Sequence, residues 1–240
     1  MKRTIVFYIL TLFTATFSFA QSFEGILSYS VDIELSAKMK EKGMTKETVM
    51  VIMDEDGGFP ETINYKYKGG NYVLEVPKSG SKSIYIGAKN TLYSFSKDKP
   101  QLITATDTSV NLEHLMYGIN PSVTTEETDV IINGKTCKKI VISWSNGTYE
   151  YYYSDNYLSM DPALYKDFNY NMWNAYLKIS KALPLRIVKK GGDESITLIM
   201  NLETASYAKL DDAIFNLPAM RIDEELSAIM PSNQKTYRKL

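Results

Sequence analysis

The stretch Asn133–Tyr153 reads N-G-K-T-C-K-K-I-V-I-S-W-S-N-G-T-Y-E-Y-Y-Y. Two Asn-Gly pairs, Asn133-Gly134 and Asn146-Gly147, bracket a run in which Ile140, Ile142 and Trp144 alternate with Val141 and Ser143. Asn-Gly is a strong hairpin signal because a type I′ turn holds both central residues at positive φ. Beyond the second pair, Tyr149, Tyr151 and Tyr153 repeat with period 2. This alternation predicts an antiparallel hairpin with an aromatic face.

The same grammar runs through most of the chain. Phe23, Gly25, Leu27, Tyr29, Val31, Ile33 and Leu35 fall on one face of a strand, and Glu24, Ser28, Ser30, Asp32 and Glu34 on the other, with Ile26 the apolar exception. Short strands are expected at Thr62–Tyr67, Tyr72–Val76, Ser83–Ile86 and Thr91–Phe95, separated by Gly69-Gly70, Pro77–Gly80 and Lys89-Asn90. Leu183–Lys189 and Ser195–Leu202 form a second hairpin over Gly191-Gly192. Thr48–Asp54 is apolar on both faces and reads as an inner strand. Many short strands with a turn every 8–12 residues mean an antiparallel sheet, sandwich or barrel.

Three stretches break the pattern. Lys38–Lys46 is a charged, methionine-bearing connector. In Val110–Gly118, Leu112, Leu115 and Met116 stand at helical spacing and Gly118 is placed to cap. Asp155–Ala182 is a long excursion, rich in aromatics and methionine, expected to hold one or two short helices. Ala208–Pro218 follows the second hairpin, and then a short amphipathic turn at Asp223–Met230 leads into a basic tail expected to fray. With no repeat, linker or composition break, residues 21–222 read as one β domain and 223–240 as a short helix and flexible tail.

Met1–Ala20 has the form of a signal peptide: Lys2 and Arg3, an apolar Ile5–Phe13, then Ser18-Phe19-Ala20 before Gln21. The apolar run is too short to span a bilayer. No cysteine follows the cleavage site, so a lipoprotein's lipid anchor is not expected, and no later segment is apolar for 18 residues. Residues 21–240 carry 25 Lys and Arg against 28 Asp and Glu, a net charge of −3. A mildly acidic chain without a basic stripe is a poor nucleic-acid binder. The single cysteine, Cys137, excludes an intramolecular disulfide. An exported chain of this size without one fits a bacterial envelope.

Few residues suggest catalysis or metal binding. Asp54–Gly58 has the acidity of a calcium loop, but the twelfth position is Tyr65 rather than glutamate, so it reads as a hairpin turn. His114 is the only histidine, which leaves no His-pair metal site and no H-E-x-x-H. No G-x-S-x-G elbow is present, and Cys137 sits in a strand as a small core hydrophobe would. Asn146-Gly147-Thr148 matches a glycosylation acceptor but serves here as the turn, and Met50 and Met53 read as core filler rather than copper ligands. No cofactor and no enzymatic activity are expected. Tyrosine, with 18 residues against 9 Phe and 2 Trp, is the outlier, and its ring suits a half-wet apolar wall. The aromatics of the excursion either plug the end of the β core or line a cavity for an acyl chain. Both readings stand.

Ordered pieces of the chain resemble a known group. F-E-G-I-L-S-Y at Phe23–Tyr29, I-N-G-K-T-C-K-K-I-V-I at Ile132–Ile142, A-L-P-L-R-I at Ala182–Ile187 and L-D-D-A-I-F-N-L-P at Leu210–Pro218 follow one another after the signal peptide. The chain is similar, over about residues 22–220, to exported proteins of Bacteroidetes-type bacteria grouped with the lipoprotein-carrier (LolA/LolB-like) superfamily. That resemblance implies a strongly curved antiparallel sheet, a half-open barrel with a few short helices on its concave face. It also implies a periplasmic carrier of lipid or acylated lipoprotein. Two departures stand out: no arginine here is matched to the one that gates the carriers' cavity, and Asp155–Ala182 is longer than the minimal pattern. The candidate ligand-binding residues are Trp144, Tyr149, Tyr151, Tyr153, Met172, Trp173 and Tyr176. The alternative is an envelope interaction module with a filled core.

Overall fold

The computed structural model describes residues 22–55, 59–111, 114–115, 118, 120–145, 147–191 and 195–240. The signal peptide, most of the Asp54–Gly58 turn, Leu112, Met116, Asn146, Gly192 and the side chain of Met53 lie outside the described residues. The chain folds into one open, thirteen-stranded antiparallel sheet with a few short helices. Its order is β12-β13-β6-β5-β4-β3-β2-β1-β11-β10-β9-β8-β7, where β1 is Gly25–Leu35, β2 Thr62–Lys68, β3 Asn71–Val76, β4 Ser81–Ile86, β5 Thr91–Phe95, β6 Leu102–Asp107, β7 Ser122–Ile132, β8 Lys135–Trp144, β9 Gly147–Tyr153, β10 Arg186–Gly191, β11 Ile196–Tyr207, β12 Met220–Ile222 and β13 Gln234–Lys239.

Chain connectivity requires the sheet to curl. β6 and β7 are consecutive in sequence but ten strand spacings apart in the sheet, about 48 Å if it were flat. The residues between Asp107 and Ser122 would reach about 50 Å only if fully extended. They are not: Leu115 N–H donates to the Asn111 carbonyl at 3.0 Å and Gly118 N–H to His114 at 2.8 Å, each a tight i→i−4 bond. Gly118 takes the left-handed conformation (φ 67°) expected of a cap. The two ends of the sheet therefore approach each other, and one face becomes concave.

β1 organises the sheet. Leu27, Tyr29, Val31, Ile33 and Leu35 are buried on its inner face, while Ser28, Ser30 and Asp32 point outward. It pairs with β11 along its whole length, but with β2 only over Gly25–Ser30. Helices α1 (Ala37–Glu41) and α2 (Lys46–Glu55) follow it directly. Here Thr48–Asp54 departs from the strand expected, because a short apolar run carries no decisive period. The helix signal was in T-K-E-T: Thr45 Oγ1 accepts from Thr48 N–H at 3.1 Å, an N-cap, with Glu47 in the first turn. Only one side of α2 is covered. Val49 is buried, whereas Val51 and Ile52 are 59% and 51% exposed.

Turn chemistry explains the hairpins. Gly69 and Gly70 (φ 55° and 80°) join β2 to β3, and Asn133 and Gly134 (φ 51° and 71°) join β7 to β8, each pair with the positive φ of a type I′ turn. The second Asn-Gly is displaced by one position from the expectation. Trp144 pairs with Gly147, so Gly147 already belongs to β9 rather than to the turn. Ile140 still opposes Tyr151 and Ile142 opposes Tyr149, which gives the aromatic face.

The C-terminal residues correct another expectation. Residues 234–239, read as a frayed tail, form β13 between β6 and β12, with Tyr237 opposite Ile103. Ser227 in α4 (Glu224–Ala228) latches it, accepting from Thr236 N–H at 3.0 Å. β6 and most of β7 were also not read from the sequence.

Both faces of the sheet are covered in part. Outside, Ile214, Phe215 and Leu217 cross over Val73 and Ile84. Inside, the excursion folds down as two 3-10 turns (Pro162–Tyr165 and Tyr170–Met172) and α3 (Trp173–Ser180). Leu158, Tyr165, Phe168, Tyr176 and Leu177 are buried there in the main core. Its base is closed by the Ser159–Ala182 bridge and by Phe23 N–H donating to Ser159 at 2.7 Å.

Candidate functional site

Strand alternation aims a row of large side chains into the concave face. β2 contributes Tyr65 and Tyr67, β3 Tyr72 and Leu74, and β10 Ile187 and Lys189, each pair two residues apart and so on one side. Tyr29 from β1, Tyr151 from β9, Met200 from β11 and Leu92 from β5 complete the floor. Phe168, Tyr170, Asn171 and Trp173 form a roof. Between floor and roof is a cavity of about 280 Å³.

The roof hangs from the end of β4–β6. Asn169 and Tyr170 N–H both donate to the Thr108 carbonyl, at 2.7 and 3.0 Å, and Asn90 Nδ2 donates to Asp167 at 2.8 Å. Thr108 Oγ1 and Tyr85 Oη in turn donate to Asn90 Oδ1, at 2.7 and 2.9 Å. After this knot Asn171 and Met172 both adopt left-handed conformations (φ 54° and 56°). Such positions are sterically costly for non-glycine residues. They turn the chain so that Trp173 faces Tyr151, with ring centroids 6.0 Å apart.

The seven candidates separate by position. Tyr151 and Trp173 line the cavity. Tyr153 and Tyr176 are buried behind them, Tyr176 completely, with its ring 4.6 Å from Tyr151 and 5.1 Å from Trp173. Trp144 and Tyr149 pair edge to face at 4.7 Å and are not part of the cavity wall. Met172 faces a separate groove outside the roof. The excursion is thus both plug and lid, rather than one or the other. The tyrosines of β1–β3 were missed. Those of β2 and β3 carry the same signal, period-2 tyrosine across a glycine turn in N-Y-K-Y-K-G-G-N-Y; Tyr65 and Tyr67 stack at 5.6 Å, and Tyr67 meets Tyr72 at a tilt, with centroids 5.7 Å apart.

Electrostatically the cavity is simple. Among the described residues Lys189 is the one charged group lining it, with its ammonium 4.9 Å from the Tyr149 ring centroid. Burial drives the phenols of Tyr29, Tyr67 and Tyr72 far above their ordinary pKa and that of Tyr65 to about 12, so all stay protonated near neutral pH. Tyr29 Oη donates to the Pro184 carbonyl at 2.7 Å. Two buried donors in the roof region, Trp173 Nε1 and Tyr165 Oη, have no hydrogen-bond partner among the described residues.

Tyr165 provides a direct test of that accounting. An unpaired buried hydroxyl costs about 1–3 kcal/mol, so Tyr165→Phe is expected to stabilise the protein by about 1 kcal/mol. A higher urea midpoint at unchanged slope would show it. A lower midpoint would mean that the hydroxyl is paired in solution.

Other reactive groups lie elsewhere. Cys137 is 1% exposed in the core, and burial pushes its thiol up, the reverse of an activated nucleophile. His114 is exposed on the β6–β7 connection. Among the described residues no three of His, Cys, Asp and Glu are grouped to hold a metal, and no helix is long and apolar enough to cross a membrane.

No protein-family model and no curated protein matches the chain. Solved structures give distant likenesses. One is PNGF-II, at 14% identity and a TM-score of 0.42, covering 80% of this chain and 30% of that one. This chain therefore spans less than a third of PNGF-II. Another is LolA superfamily protein NE2245 from Nitrosomonas europaea, at 11% identity and a TM-score of 0.37, covering 83% of this chain and 92% of that one.

Proposed function

We propose that this chain is a non-enzymatic, carrier-like binding protein that holds one apolar chain of a lipid or acylated ligand beneath the Phe168–Trp173 roof. It would act in the periplasm, after cleavage following Ala20. The observation that carries this reading is the cavity itself: concave, walled by aromatic and aliphatic side chains, and roofed by a separate segment.

Size limits what it takes. A cavity of ~150 Å³ accommodates benzene, so 280 Å³ holds roughly eleven heavy atoms. That is one chain of about ten carbons, not the several chains of a lipoprotein anchor, unless the roof lifts. At about 0.8 kcal/mol per buried CH₂, ten carbons contribute roughly 8 kcal/mol before the losses of association. About 1 μM is therefore the ceiling, and the losses of association shift the affinity from there toward the millimolar range.

Native mass spectrometry and lipid extraction of residues 21–240, purified from their own compartment, test the reading. A stoichiometric adduct of single-chain mass is expected, with a saturable rise in Tm when decyl-chain amphiphiles are added. Leu74→Trp, which fills the cavity, should abolish that rise. A clean apo mass and no shift with any amphiphile would reject ligand carriage and favour the interaction module with a filled core.

A further inference from the structure

The aromatic floor carries polar atoms that specify more of the ligand, on the premise that the cavity binds one. In the β2–β3 hairpin Tyr67 lies opposite Tyr72, and Tyr65 stands two residues from Tyr67 on the same face. The three rings form a near-equilateral triangle, with centroids 5.6, 5.7 and 5.9 Å apart. All three line the cavity. Tyr67 and Tyr72 are only 4% and 8% exposed.

Their hydroxyls are uncommitted. Tyr29 Oη donates to the Pro184 carbonyl and Tyr85 Oη to Asn90, but those of Tyr65, Tyr67 and Tyr72 have no hydrogen-bond partner among the described residues. Nor are they sealed in protein, as the Tyr165 hydroxyl is, so the space they reach is the cavity. A pure hydrocarbon packed against these donors would strip them of water and return nothing, a cost that an acceptor on the ligand removes. Burial keeps the phenols protonated, and hence donors, near neutral pH. A carbonyl oxygen accepts two such bonds and needs no proton of its own. The burial that disfavours a phenolate disfavours a carboxylate too.

We propose that Tyr65, Tyr67 and Tyr72 form a carbonyl-recognition site. The ligand is a neutral acyl ester or amide whose carbonyl oxygen accepts from these hydroxyls, while its chain fills the rest of the cavity beneath Trp173.

A variant combining Tyr65→Phe, Tyr67→Phe and Tyr72→Phe tests it, because each change keeps the ring and removes only the hydroxyl. Its probes are methyl octanoate, N-methyloctanamide, octanoate and decane, the last delivered from the vapour. Binding of the ester, the amide or both is expected to weaken about tenfold, and which loses more tells ester from amide. Decane should bind equally or more tightly, since no hydroxyl is stranded beside it. Tyr72→Phe alone should show the same selectivity in smaller measure. Tyr93→Phe, in the cluster with Ile103 away from the cavity, should leave all four affinities unchanged. The urea midpoint of the triple variant should not fall; a fall would mean that the hydroxyls are paired within the protein and would overturn the site. Equal losses for decane and the carbonyl probes, or no loss for any, would also overturn it and leave the binding reading standing. Octanoate binding tightest and losing most would overturn it in favour of an anion held by the phenols. If no probe binds the wild-type chain, the proposed function fails as well.

Discussion

Tyr176→Ala is expected to lower folding stability by about 3–5 kcal/mol, the range for emptying an aromatic site in a packed core. Tyr176 is fully buried, with its ring within 4.6 Å of Tyr151, 5.1 Å of Trp173 and 6.2 Å of Tyr153. Its hydroxyl donates to the Ala182 carbonyl at 2.9 Å, beside Ser180 Oγ at 3.0 Å. Truncation removes the contact between α3 and β9 and loosens the turn that returns the excursion to the sheet. Tyr176→Phe keeps the ring, and Ala182 keeps Ser180, so it should cost only about 1 kcal/mol. Urea unfolding of both variants decides the matter. A loss below about 1 kcal/mol for the alanine variant would show that the excursion does not pack as the plug of this core.

Gly25→Ala should be nearly as damaging, at about 3 kcal/mol or more. Gly25 is the first residue of β1, at φ 154°, and pairs with Tyr207 on one side and Tyr67 on the other. A Cβ there would lie 2.0 Å from the Ser206 carbonyl oxygen, which is backbone and has no rotamer by which to move aside. β1 or β11 must shift, and both are central strands. Gly134→Ala is the control. It also has positive φ (71°), but nothing lies within 4 Å of an added Cβ, so only conformational strain of about 1 kcal/mol is expected. Thermal unfolding of the pair separates close approach from strain. Equal losses would mean that the contact with Ser206 relaxes freely.

These two positions show why some features were legible and others were not. Gly25 looks like any strand glycine in F-E-G-I-L, and its necessity comes from Ser206, a residue far along the chain. Tyr176 looked like a cavity residue because its tyrosine and tryptophan neighbours do, and composition does not say which ring stands in front of another. The C-terminal strand was illegible for a different reason. Q-K-T-Y-R-K has one large apolar residue, and its pairing between β6 and β12 rests on backbone hydrogen bonds that carry no side-chain signature.

By itself the sequence determined whatever is local. Alternation in β1, β2 and β8–β10 set which side chains share a face, and Gly69-Gly70 and Asn133-Gly134 set their turns, because a strand's period and a turn's φ depend on a few adjacent residues. Only the tertiary structure decided what those faces enclose. Tyr29 and Pro184, 155 residues apart, meet because β1 and the segment leading into β10 both flank Leu202 of β11, and the roof closes because Thr108 and Asn90 hold residues 167–170. T-V-M-V-I-M-D became a helix for the same reason: with β2 pairing only the first half of β1, the inner apolar residues beyond it needed cover, and α2 provides it. The cavity and its lysine belong to the curl, which no single stretch of the chain specifies.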